Sequence, residues 1–400
     1  MTKAAGTSPA HPALDLAIEI LADLVAFPSV SLQPNDTIVS YIETRMRDLG
    51  MRCVRDAHED GQRFNLLASA GPQRPGGVLL SGHMDVVPAS PDGWTGDPFI
   101  LRRDDGRLHG RGAVDMKGFI AIVLASLPDI MAQVDSLSMP LHVALSFDEE
   151  TGFFGASQLP AFFDSIGLRA EIAIIGEPTN MQPFVGHKGG MELTTVVTGT
   201  SGHASQPAGM VNAVYYAARL VDFMRSCADD LAAAPIDGSP FNPPHTSLSV
   251  GVIRGGEARN IIPDRCEIDW EIRAHPGDDP HQYLGRVTDF ITHGLVPEMT
   301  AIDPRAGIET HMLCDAPPLE ARPDGPAANL VARLWTNETP QVVSFGTDAP
   351  FFQKAGMDTV IFGPGGMAQM HQPDEFITEA ELVDGLQFID RLAAYMRGGY

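Results

Sequence analysis

The sequence predicts an α/β fold, with a mostly parallel sheet carrying helices on both faces and an α+β domain inserted into it. Three observations predict this. First, short apolar runs at 78–80, 141–147 and 173–175 alternate with a helical apolar stretch at 119–131, the pattern of strands buried on both faces under helices. Second, period-two alternation takes over from about His187. In 265–273, Cys266, Ile268, Trp270 and Ile272 share one face and charges take the other, and 191–200 behaves alike, as half-exposed antiparallel strands do. Third, the buried α/β pattern returns after Pro317. The expected domains are therefore 1–186 with 307–400, and an insertion at 187–306.

The elements follow in order. Residues 14–26 have helical apolar spacing. Asp36 can cap a second helix reaching about Leu49, with Gly50 as its stop. Strands are expected at about 51–55 and 65–69, then at the three apolar runs. Inside the insertion, 211–234 and 280–293 read as helices. Beyond it come a helix at 326–336, a strand at 359–362 and a helix at 379–397. No internal repeat or low-complexity segment interrupts the chain.

Composition narrows the function classes. A 44% hydrophobic fraction over 400 residues supports a large core and about two to three domains. No stretch approaches the roughly 18 apolar residues of a membrane span. Residues 1–12 lack a signal-peptide pattern, so a cytoplasmic protein is expected. Cys53, Cys227, Cys266 and Cys314 are far apart and read as free thiols in a reducing compartment. The net charge of −24 argues against nucleic acid and anionic membranes as partners. That charge serves solubility, or draws metal ions and cationic substrates; charge alone does not separate the two.

The chemistry sits where strands end. SGHMDVVP at 81–88 carries His83 and Asp85 just past a core strand, at the edge where open α/β sheets bind ligands. Imidazole ligates zinc, and a neighbouring Asp can hold its other nitrogen. The plainer alternative is a buried histidine hydrogen-bonded to Asp85. Asp115 lies at the mouth of the 119–131 helix, Glu149 and Glu150 follow the strand ending at Phe147, and Glu177 follows the strand ending at Ile175. His371 comes after the glycine-rich 363–366 segment. Two histidines with three or four carboxylates exceed one tetrahedral zinc and fit two metals sharing a carboxylate. In the pair Glu149-Glu150 one residue can ligate while the other moves protons.

In this order, the motifs at His83, Asp115, Glu149-Glu150, Glu177 and His371 resemble the co-catalytic zinc metallopeptidase family, over about residues 14–396. The resemblance implies a zinc-peptidase-like catalytic domain with an inserted lid and dimerisation domain. It also implies that His83, Asp115 and Glu177 hold one ion and that Asp115, Glu150 and His371 hold the other. Glu149 is then the general base and acid, Asp85 orients His83, and the Asp115–Met116 bond is cis. The implied cofactor is two Zn2+, with Co2+ or Mn2+ as alternatives because ligand type does not fix the metal.

Segments 94–99, 106–112, 186–189, 344–349 and 363–375 resemble the branch that deacetylates N-acetyl-L-ornithine in arginine biosynthesis. Position 348 is usually Glu in that branch and is Asp here. The implied activity is amide hydrolysis of an N-acetylated amino acid, a small-molecule substrate. Another acyl-amino-acid deacylase, a desuccinylase or a dipeptidase is the alternative. A non-catalytic metal-binding protein that kept the fold would lack a ligand or Glu149, and all are present. His203 is the implied oxyanion donor, reaching the site from the partner subunit of a homodimer; otherwise it is an ordinary loop histidine. Asn260 is the first candidate for the substrate carboxylate, before Arg259 and Arg273. Gly365 lies in the glycine-rich wall. Asp348 either meets a substrate ammonium or caps the helix it precedes.

Overall fold

The computed structural model describes residues 11–399, so most of the N-terminal segment read for targeting lies outside the described residues. The chain forms two compact units. One comprises Met1–Val185, Arg322–Gln341 and Thr347–Tyr400; the other comprises Gly186–Ala321 and Val342–Gly346.

The first unit is built on a mixed sheet. Its parallel centre runs Leu141–Ser146, Val78–His83, Ile172–Ile175, Asp358–Ile361. Phe64–Ala70 and Arg52–Ala57 extend it antiparallel on one side. Every residue of Val78–His83, Leu141–Ser146 and Ile172–Ile175 is buried, which is why these segments show apolar runs and no alternation. The helix Lys117–Met131 is buried over most of its circumference and packs with Leu14–Val25 and Glu379–Met396.

Helix ends follow local chemistry. Thr378 and Glu381 form a capping box at the start of Glu379–Met396. The second helix spans Asp36–Asp48, and Asn35, not Asp36, takes the N-cap position. The Asn35 side chain is spent on Phe64, donating to its carbonyl and accepting its N–H, both at 2.9 Å. Gly50, at φ 88°, supplies the left-handed turn after this helix.

The second unit carries a four-stranded antiparallel sheet in the order Ser247–Gly255, Arg265–Arg273, Gly190–Thr198, Gly307–Ala316. Its core joins Leu193, Ile268, Trp270 and Ile272 to Leu220 and Met224 of the helix Ala213–Ala232. The expected return to the first unit at residue 307 is moved: Gly307–Ala316 pairs with Gly190–Thr198, and the chain leaves this unit at Ala321. The expected 280–293 helix ends at Asp289. A π-turn, Phe290–Leu295, and a second helix, Val296–Ile302, continue it.

Candidate metal centre and active site

Four site residues of the first unit stand where a strand stops, while Asp115 and His371 lie on turns. His83 is the last residue of its strand. Glu149 and Glu150 open a short 3-10 turn after Asp148, which is held in the left-handed region at φ 54°. Asp148 accepts the N–H of Leu32 at 2.7 Å and pairs with Arg63, which pins this turn. Glu177 follows Ile172–Ile175 through Gly176, where an added Cβ would lie 2.1 Å from the Phe119 ring. Gly365, at φ 80°, approaches Val114 so closely that a Cβ would sit 2.2 Å from its side chain.

These elements converge. Ligand atoms of His83, Asp115 and Glu177 lie within 4.8 Å of one another, as do those of Asp115, Glu150 and His371. His83 Nε2 is 3.1 Å from Asp115 Oδ1 and 3.9 Å from Glu177 Oε1. His371 Nε2 is 3.1 Å from Asp115 Oδ2 and 3.0 Å from Glu150 Oε2. Asp115 therefore presents one oxygen to each set. The Asp115–Met116 peptide is cis.

Asp85 supports the cluster from beneath. The nearest acceptor for His83 Nδ1 is the Asp85 carbonyl at 3.0 Å, with the carboxylate at 3.6 Å. That carboxylate accepts the backbone N–H groups of Glu149 and Glu150 at 3.1 and 3.3 Å and the Ser31 hydroxyl at 2.7 Å. It thus links His83 to the carboxylate pair.

The charges demand cations. Burial pushes the carboxyls of Glu149, Glu150 and Glu177 above the usual carboxylate range, and their neighbours' negative charge adds to it. Burial pushes Asp115 up, but hydrogen bonds with His371 and His83 and the charge of both together hold it low. Hydrogen bonds with Asp115 and Glu150 raise His371 to about 10. Glu177 Oε1 is buried without a hydrogen-bond partner among the described residues. Borderline nitrogen and hard oxygen donors around an unpartnered buried carboxylate fit divalent cations, and the shared Asp115 makes the site dinuclear.

Asp348 is buried, and its side chain accepts the Ser146 hydroxyl while its other oxygen has no partner among the described residues. It makes no side-chain cap; Thr347 Oγ1 accepts the first helical N–H, from Ala349, at 3.1 Å. The cap reading of Asp348 therefore falls. Burial pushes its carboxyl up to about 7.

The remaining expected residues belong to the second unit. His203 lies on a two-residue ladder with Ile261–Ile262, exposed, its Nδ1 2.7 Å from Ser205 Oγ. The Asn260 carbonyl accepts the N–H of Ala204 at 2.9 Å, and Arg259 is exposed. Arg273 pairs with Glu271 at 2.6 Å.

Reading by motif passed over three buried charges beside the site. Arg111 and Glu375 form an ion pair at 2.6 Å. Lys117 Nζ donates to the Phe27 carbonyl at 2.8 Å, and burial lowers it to about 7. The signal available for Lys117 was a lysine at the start of an otherwise apolar helix.

Residues 79–395 match the model of peptidase family M20/M25/M40, and the chain belongs to that family. It is a metal-dependent amidohydrolase with a dinuclear metal-binding site. The acetylornithine deacetylase of Klebsiella pneumoniae is 36% identical over 370 residues, covering 90% of this chain and 92% of that protein. Among solved structures, the M20 family metallo-carboxypeptidase Sso-CP2 of Sulfolobus solfataricus has a TM-score of 0.76 at 16% identity, covering 97% of this chain and 100% of that one. A Staphylococcus aureus tripeptidase has a TM-score of 0.73 at 20% identity, covering 96% and 99%. At these identities the two structures share the fold.

Proposed function

We propose that this protein hydrolyses the amide bond of an N-acylated amino acid, with N-acetyl-L-ornithine the first substrate to test. The observation that carries the reading is the shared carboxylate of Asp115 between two complete ligand sets, in a chain 36% identical to an acetylornithine deacetylase. His83, Asp115 and Glu177 would hold one cation and Asp115, Glu150 and His371 the other, two Zn2+ first, with Co2+ or Mn2+ as alternatives. Bound there, the cations would polarise the carbonyl and lower the pKa of water to about 7.

The chain's own residues supply the rest. Glu149 belongs to neither ligand set, and its main chain is held by Asp85. It takes a proton from the attacking water as the carbon–oxygen bond forms. It returns that proton to the nitrogen as the carbon–nitrogen bond breaks, releasing acid and free amine. His203 donates to the developing oxyanion from the partner subunit of a homodimer formed through the second unit. The edge strand Ser247–Gly255, which exposes Val252 and Ile253, supports such pairing. Asn260, Arg259 and the Gly365 wall contact the substrate, Arg273 joins them only by leaving Glu271, and the unpartnered oxygen of Asp348 supports its pairing with a side-chain ammonium. Among the described residues no helix is long and apolar enough to cross a membrane, and the four cysteines are free. Free thiols support a reducing, cytoplasmic setting.

The test is the rate of free-amine release from Nα-acetyl-L-ornithine and from Nα-acetyl-L-leucine by metal-loaded protein. Faster release from the ornithine derivative is expected. Equal or reversed rates would move the substrate to another acyl-amino acid.

A further inference from the structure

Glu375 is 1% exposed and lies four residues beyond His371. A carboxylate so deep needs partners, and it has them on both oxygens. Oε2 accepts from Arg111 Nη1 at 2.6 Å. Oε1 accepts the backbone N–H of Val114 at 3.0 Å and of Asp115 at 3.2 Å. The Glu375 carbonyl accepts the N–H of Gly110 at 3.0 Å. One residue thus grips both ends of the 110–115 turn that presents Asp115.

The loop needs that grip. His371 and Asp374 both have positive φ, at 58° and 55°, which non-glycine residues adopt at a cost and keep only where surroundings impose it. Asp374 accepts the N–H of Thr95 at 3.0 Å, and its carbonyl is 3.0 Å from His109 Nδ1. Arg111 is itself buried, lies over the Trp94 ring at 5.3 Å, and has Nε without a hydrogen-bond partner among the described residues. A buried ion pair of this kind is weak evidence for stability and calls for another role.

We propose that Glu375 is a positioning residue that ties the two ends of one metal position together: through its Oε1 bonds it fixes the main chain of the shared ligand Asp115 against the loop carrying His371. The proposal rests on the two-cation reading above. The other position draws its remaining ligands, His83 and Glu177, from strand ends that Glu375 does not touch. Asp115 serves both positions, but only the Asp115–Glu150–His371 position also takes a ligand from the loop that Glu375 anchors, so loss of the grip should loosen that position more than the other.

The experiment compares two double variants, titrated with Co2+ and followed by visible absorption and calorimetry. Arg111→Met with Glu375→Gln removes the ion pair but keeps an oxygen for the two N–H groups. Arg111→Met with Glu375→Leu removes both. The Gln pair is expected to hold its second ion within about threefold of wild type. The Leu pair should hold it at least tenfold more weakly, with a changed absorption spectrum and a first step weakened less than the second. Equal second-ion affinity in the two variants would overturn the proposal.

Should the Leu pair not fold, Glu375→Asp keeps the charge facing Arg111 and shortens the reach to the N–H groups. A weaker second ion is expected in that variant, and wild-type affinity for both ions would overturn the proposal equally. Wild-type protein that takes up a single ion would instead overturn the two-cation reading beneath it. Melting of the metal-free proteins tells folding loss from loosened coordination.

Discussion

The two sheets of this molecule teach opposite lessons. In the first unit, Val78–His83 and Leu141–Ser146 are buried at every residue. In the second, Arg265–Arg273 alternates buried with partly exposed residues, and Ser247–Gly255 is mostly exposed beyond Leu248. A strand buried on both faces can carry polar chemistry only where it ends. His83, Glu149, Glu150 and Glu177 accordingly sit at or just past strand ends, aimed by the packing of those strands. A sheet with an open face carries polar groups along its length. Its candidate donors, His203 and Asn260, lie on a short ladder and a turn, and Arg273 is spent on Glu271. The first unit fixes geometry, and the second offers surface.

The sharpest way to break this contrast is at Glu149. Glu149→Gln should lower turnover by about 10²–10⁴-fold, the range of general acid–base catalysis, while both ions still bind. Retained turnover, measured by amine release, would remove it as the proton carrier. His203→Ala in the second unit should lower kcat by about 10²–10³-fold, as removal of an oxyanion donor does, with little change in metal content. An unchanged kcat would return His203 to an ordinary loop histidine.

Stability should divide in the same way. Leu80→Ala, in the fully buried strand, should cost about 2–5 kcal/mol in denaturant unfolding. Ile253→Asp, at a position 52% exposed, should cost within about 0.5 kcal/mol but weaken the proposed dimer, as read by sedimentation. A large loss of stability at Ile253 would show that the open face is packed after all.

The first unit should also be the acid-sensitive one. Burial, with the Arg52 charge adding to it, holds His142 at about 4, below the usual 6.5. The unfolded chain therefore takes up this proton first, and stability falls as pH drops from about 6.5 toward 4. His142→Gln should flatten that part of the profile, and an unchanged slope would assign it elsewhere.

The sequence was legible where structure is local or periodic. Apolar runs marked the buried strands, alternation marked Arg265–Arg273, and strand-end carboxylates marked the site. Pairings across long separations left no such trace. Asp348 meets Ser146, and Glu375 meets Arg111, hundreds of residues apart in the chain with no period to link them. Ser247–Gly255 was missed because serines and glycines dilute its alternation, and its outer face is exposed. The end of the second unit was set too early because exposed residues dominate Gly307–Ala316, and only its register with Gly190–Thr198 assigns it. Asn35 displaced Asp36 at the helix start because a bond across the chain to Phe64 won over a local cap.

Five residues are proposed to hold two cations through one shared carboxylate. Counting Co2+ or Zn2+ per chain by calorimetry and elemental analysis tests this most directly, in wild type and in His371→Ala. Two ions are expected in wild type and one tightly bound ion in the variant. A single ion in wild type, or two tight ions without His371, would contradict this arrangement.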